Sequence, residues 1–191
     1  MTVEEKLLSA KPREEAGSKT SRKYQFQKDL ALYMMIEEHL KRVDYLFLFD
    51  FHEDLVIGNH SEVPTKLEFF QIKSKDTKGN WTVKSITRAE KESLSILGKL
   101  YENKIVFEDA VAGLCFVSNC TFGFKAIKSK KEALTMSIIH ASDLDDQDLN
   151  TCKESIKAEH KLMEVADFEN LMTFRVTTLS NSESSVHCIG A

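Results

Sequence analysis

From about Thr20 the spacing of apolar residues becomes helical. Phe26, Leu30, Tyr33 or Met34, and Leu40 return at three- and four-residue steps and build one apolar face. The basic pair Lys41–Arg42 suits the end of that helix, where the peptide dipoles favour positive charge. "DYLFLFDF" follows, dense in Leu and Phe, and predicts a strand buried on both faces; "HEDLVI" continues or re-forms it. "GNHSEVPTK" carries Gly58, Asn59 and Pro64 and reads as a turn. "LEFFQIKSK" is the next strand, expected to pair with the preceding one as an antiparallel hairpin.

"DTKGNWT" is a loop, and its Trp81 is expected to pack rather than to stack on a base. "SITRAEKESLSILGKLYEN" predicts a helix with Ile86, Leu94, Leu97 and Tyr101 inward, and "AVAGLCFVSN" a strand. Strand, crossover helix and strand make a βαβ unit, so this strand should run parallel to the 67–75 strand. The expected fold is therefore α/β, with elements in the order α-β-β-α-β. Further on, the pattern predicts a short strand near Met136–Ile139, an acidic linker or cap over "SDLDDQDLN", a helix over "LNTCKESIKAEHKLMEVA" and a strand over "LMTFRVTTLS". Residues 1–19 lack periodicity and are expected to be a flexible lead-in, with at most a short helix over "VEEKLLSA". A chain of 191 residues suits one domain.

The strand over "LEFFQIKSK" has an unusual polar side. Side chains alternate across a strand, so Gln71, Lys73 and Lys75 share one face while Glu68, Phe70 and Ile72 share the other. An ammonium group following "LEFF" in an otherwise buried strand is costly unless it serves something. The preceding strand supplies acids at Asp50, Glu53 and Asp54, the last of them seventeen residues before Gln71. An acid on one strand and a polar-x-Lys on its neighbour is the arrangement of a metal-dependent phosphodiesterase. Oxygen ligands hold a hard cation, the cation activates water, and the lysine stabilises developing negative charge.

Composition narrows the alternatives. The apolar content of 42%, with two prolines and seven glycines, excludes a fibrous or disordered chain. No apolar run reaches the length of a membrane span, and the charged N-terminus lacks a signal-peptide core, so a cytoplasmic protein is expected. The sequence holds no P-loop, GxGxxG, HExxH or GxSxG. Cys115, Cys120, Cys152 and Cys188 show no CxxC pairing and are expected as reduced, partly buried thiols. Net charge is −4, but its distribution is uneven. Residues 11–28 carry six Lys/Arg against two acids, 66–91 seven against three, and 132–191 four against eleven. The basic half surrounds the polar strand face, which suits a phosphate-bearing partner. Lys19, Arg22, Lys23 and Lys75 are the candidate DNA contacts.

"AGSKTSRKYQFQKDLALYMM", "LFDFHEDLVIG" and "FFQIKSK" together resemble the N-terminal nuclease domain of bacterial anti-phage effectors, in the restriction-endonuclease-like, Mrr-type branch of the PD-(D/E)xK superfamily. The matching pieces are Ala16–Gly17, Tyr24–Gln25–Phe26–Gln27, Asp54 and Gln71–Ile72–Lys73, within residues 13–120. The resemblance implies a restriction-endonuclease-like core, a central mixed sheet flanked by helices. It implies an endonuclease that cuts double-stranded DNA with Mg²⁺, or with Mn²⁺ in its place. On it, Asp54 matches the metal-binding Asp, with Asp50 and Glu53 as competitors. Gln71 stands where Glu is usual, Lys73 matches the catalytic Lys, and Gln27 matches a first-helix residue that is often Glu. The Ile72 carbonyl is a further candidate ligand. In several systems such domains are fused to a sensor of cyclic oligonucleotides (the SAVED-fused effectors of CBASS), and in others they work with an ATPase partner; cutting both strands takes two active sites, so a homo-oligomer on activation is expected. The abrupt "HCIGA" end fits the N-terminal part of a longer effector.

Overall fold

The computed structural model describes residues 2, 3, 5, 6, 21–75, 79–90, 93–124 and 133–179. The helical spacing of the first segment forms helix α1, Ser21–Lys41. Next come strands β1 (Leu46–Phe49), β2 (Leu55–Gly58) and β3 (Leu67–Lys73). Helices α2 (Val83–Ile86) and α3 (Ile96–Phe107) lead to β4 (Val111–Ser118). The remaining elements are β5 (Ile138–His140), α4 (Asp146–His160), α5 (Phe168–Leu171) and β6 (Met172–Val176). Among the described residues the strands form one six-stranded mixed sheet in the order β1-β2-β3-β4-β6-β5. The α/β core expected from the sequence is thus present: β2 and β3 are antiparallel, and β3 and β4 are parallel across the α2–α3 crossover.

Two elements differ from expectation. "HEDLVI" does not continue the first strand but returns as β2, antiparallel to β1, with Leu48 opposite Val56. The reversal turns on Asp50, whose φ of 54° is left-handed, a conformation that Asp tolerates better than most residues. The expected helix over residues 85–103 is two helices. α2 starts at Thr82, which forms a reciprocal capping pair with Ser85, and ends at Thr87 after one turn. α3 begins afresh where the Ser95 hydroxyl accepts from the Gly98 N–H. Ser95 is also fixed from α4, since Glu159 Oε2 accepts from both its N–H and its hydroxyl, at 3.1 and 3.0 Å. A Cβ on Gly98 would fall 1.7 Å from that oxygen, so only glycine permits the approach.

Strand alternation divides the core in two. Val56, Leu67, Phe69, Leu114, Phe116 and Phe174 face α3 and α4, while Leu55, Ile57, Phe70, Ile72 and Val117 face Phe26, Leu30 and Met34 of α1. Ring contacts Tyr24–Phe49 (6.1 Å) and His39–Tyr45 (6.2 Å) show that α1 runs antiparallel to β1. The N-terminal turn of α1 therefore lies at the sheet end where β3 finishes. No helix among the described residues is long and apolar enough to cross a membrane. Cys115, Cys120 and Cys152 are free thiols, and Cys188 lies outside the described residues. Burial, with the nearby Asp148 carboxylate, pushes the Cys152 thiol up to about 12. The thiolate is the nucleophile, so Cys152 is expected to stay unalkylated by iodoacetamide at pH 8 in the folded protein. Peptide mass mapping checks this, and labelling of Cys152 before unfolding would contradict it.

Candidate active site

The offset between β2 and β3 builds the site. β2 begins at Leu55, which faces Phe70, so the last residues of β3 extend past its end. On the other side β3 stays paired with β4, Lys73 opposite Ser118. The N–H and C=O of Ile72 that point towards β2 therefore have no strand to bond. Side chains replace it. Asp54 Oδ2 accepts from the Ile72 N–H at 2.6 Å, and the Ile72 carbonyl accepts from Gln27 Nε2 at 3.0 Å. Asp54 Oδ2 also accepts from Gln71 Nε2. Gln27 and Gln71 are 9% and 4% exposed, so these amides are held in the protein rather than in water.

Four of the residues singled out from the sequence thus meet in one cluster: Asp54, Gln71, Ile72 and Gln27. Lys73 follows on the Gln71 side of β3, half-buried at the strand end. The two competing acids go elsewhere. Asp50 is exposed in the β1–β2 turn. Glu53 is buried, and its Oε1 accepts from Asn103 Nδ2 on α3 at 3.0 Å.

The basic candidates divide similarly. Lys75 lies just beyond β3, where its Nζ sits 3.9 Å from the centre of the Trp81 ring and donates to the Asn80 carbonyl at 2.8 Å. Trp81 itself packs edge-on to Phe116 and donates to the Ser118 hydroxyl, consistent with its expected packing role. Lys23 is exposed on the first turns of α1. Lys19 and the side chain of Arg22 lie outside the described residues, as do Ala16 and Gly17.

Asn103 was not among the residues singled out. A signal existed: it falls three residues after Leu100 and four before Phe107, on the inward face of α3, where an amide needs a buried partner.

With the Gln71 amide turned over, the groups that could face an ion beside Asp54 would be oxygens: the carboxylate, the Ile72 carbonyl and the Gln71 amide oxygen, while Gln27 keeps its N–H on that carbonyl. Among the described residues no three His, Cys, Asp or Glu side chains gather as a metal site. A single carboxylate with neutral oxygens fits Mg²⁺, which retains waters and draws its remaining ligands from substrate phosphate. It does not suit zinc, which prefers nitrogen and sulfur.

A family model described as "Cap4, dsDNA endonuclease domain" matches residues 15–190 of the chain. No curated protein matches it, and neither does any solved structure.

Proposed function

The chain belongs to the Cap4 double-stranded-DNA endonuclease domain family, and from that premise we propose that the Asp54 cluster is where it hydrolyses DNA phosphodiester bonds, with Mg²⁺ (or Mn²⁺) as cofactor. The observation that carries this reading is the convergence of Asp54 and Gln27 on the backbone N–H and C=O of Ile72, with Gln71 bonded to the same Asp54 oxygen. Asp54, the Ile72 carbonyl and the Gln71 amide oxygen are the groups that would hold the ion. When bound, it would supply charge neutralisation at the phosphate and a more acidic water.

The protein's own part is preorganisation. The Ile72 N–H orients the Asp54 carboxylate before substrate arrives, so little rearrangement is needed on binding. Gln27 holds the Ile72 carbonyl on the same edge. Lys73, on the Gln71 side of β3, would supply an ammonium to donate to a phosphate oxygen as negative charge develops there. Lys23 and Lys75, with Lys19 and Arg22, would bind flanking phosphates.

The cellular setting we propose is anti-phage defence in the cytoplasm. The domain would be the N-terminal part of a longer effector, activated by a cyclic-oligonucleotide sensor or an ATPase partner. Cutting both strands takes two such centres, so the proposal includes a homo-oligomer on DNA.

A titration with Mg²⁺ and Mn²⁺ by calorimetry, beside plasmid cleavage with and without EDTA, tests the reading. Cation binding that is lost in Asp54→Asn, and cleavage abolished by EDTA, are expected. The glutamines at 27 and 71 favour a second reading, a catalytically degenerate module that binds DNA or protein. It would give DNA binding with no response to either cation, and that outcome would overturn the first.

A further inference from the structure

Beside the Ile72 cluster, a second buried polar contact holds the same turn, this one from α3. Glu53 immediately precedes Asp54 and is 7% exposed; Asn103, on α3, is 2% exposed. Asn103 Nδ2 donates to Glu53 Oε1 at 3.0 Å and to the Leu100 carbonyl at 3.1 Å, so the amide is itself fixed to its helix. One helical turn on, Phe107 meets the His52 ring edge-on at 5.5 Å. Residues 103 and 107 lie on one face of α3, and that face takes hold of His52 and Glu53 in succession.

A buried carboxylate is expensive in a turn, because turns ordinarily leave such groups in water. Within the turn, Asp50 N–H donates to the Asp54 carbonyl and Phe51 N–H to the Glu53 carbonyl, both at 3.2 Å, at the long end of the hydrogen-bond range. Asp50 is left-handed. The path of the chain into Asp54 therefore runs through a left-handed reversal and its anchorage on α3. Asp54 in turn must reach the Ile72 N–H, at 2.6 Å.

We propose that Asn103, acting through Glu53, is a positioning residue for Asp54: α3 sets the angle at which the Asp54 carboxylate meets β3. The proposal rests on the reading of Asp54 as the cation-binding carboxylate. Loss of a group that orients a ligand ordinarily costs about 10–100-fold in metal affinity or activity.

The experiment compares Asn103→Ala, Glu53→Ala, their double variant, and the conservative variant Glu53→Gln. It is run on the intact chain at a temperature where every variant is folded by circular dichroism. Two readouts are taken. The first is hydrogen exchange at the Ile72 amide in metal-free protein. The second is Mn²⁺ affinity by calorimetry. The single alanine variants are expected to speed exchange at Ile72 and weaken Mn²⁺ by about 10–100-fold. The double variant should be no worse than either single one, and Glu53→Gln, whose amide oxygen can still accept from Asn103 Nδ2, should keep both readouts close to wild type.

A merely structural role would lower the melting temperature and leave both readouts at the wild-type value in the folded state, which would overturn the proposal. Independent, additive losses in the double variant would overturn it as well. Asp54→Asn is the control. If it abolishes Mn²⁺ binding while Asn103→Ala does not weaken it, the positioning role alone fails. If Asp54→Asn leaves Mn²⁺ binding intact, the functional reading fails with it.

Discussion

Asp54→Asn is expected to lower DNA cleavage by about 10³-fold with the fold retained. The substitution preserves shape and keeps one oxygen that can accept from the Ile72 N–H, but it removes the charge of the carboxylate that the cluster is built around. Charge stabilisation by a bound ion is worth several kcal/mol in the transition state. Losing about 4 kcal/mol of it corresponds to about 10³-fold at 1.36 kcal/mol per tenfold. Single-turnover cleavage of a plasmid, beside the denaturant midpoint, separates chemistry from folding. Wild-type cleavage by this variant would remove Asp54 from the reaction and leave Asp50, the exposed acid of the same turn, to be tested next.

Gln71→Glu should convert the site from one that is stable without metal to one that needs it. Gln71 is almost fully buried and donates its amide N–H to Asp54 Oδ2. A carboxylate there loses that donation and meets a second carboxylate instead. An uncompensated buried charge costs about 3–5 kcal/mol, so the metal-free variant should unfold at clearly lower denaturant than wild type at pH 8.

The sign with pH follows from the like-charge contact, which makes the folded state hold a proton on the new carboxylate more tightly than the unfolded state does. The deficit should therefore be smallest below the ordinary carboxylate range and grow as pH rises through and above it. Mg²⁺ at millimolar concentration binds only the folded form and should recover much of the loss. Denaturant melts at pH 5 and pH 8, with and without Mg²⁺, read all four corners. A variant as stable as wild type without metal, and indifferent to Mg²⁺, would show that the Asp54–Gln71 contact is not a cation site.

Both expectations depend on which acid stands beside β3, and the acidic run "DFHED" does not by itself decide that. Local spacing leaves Asp50, Glu53 and Asp54 equivalent. The choice comes from register: β2 starts at Leu55 opposite Phe70, which leaves the Ile72 peptide unpaired and puts the residue before Leu55 within reach of it. The neighbouring acid is drawn the other way by Asn103, a residue fifty positions along the chain. Nothing in the local sequence around Glu53 reports that partner.

What the sequence determined by itself is what depends on short-range periodicity. A 3.6-residue spacing placed α1, and apolar strand runs bounded by turn residues placed β3 and β4. The length of the crossover between them made that pair parallel. Period two put Gln71 and Lys73 on one side of β3, and the residues around Gln27, Asp54 and Gln71–Ile72–Lys73 carried the family resemblance.

Tertiary structure decided what depends on contacts between distant residues. Glu159, 64 positions after Ser95, fixes where α3 begins and so breaks a run whose apolar spacing alone reads as one helix. The left-handed Asp50 folds the first strand back on itself, a backbone choice that several neighbouring polar residues could equally have made. The Ile72 backbone collects the Asp54 and Gln27 side chains because two strands end at different heights, and a difference in strand ends is a property of the assembled sheet rather than of either strand.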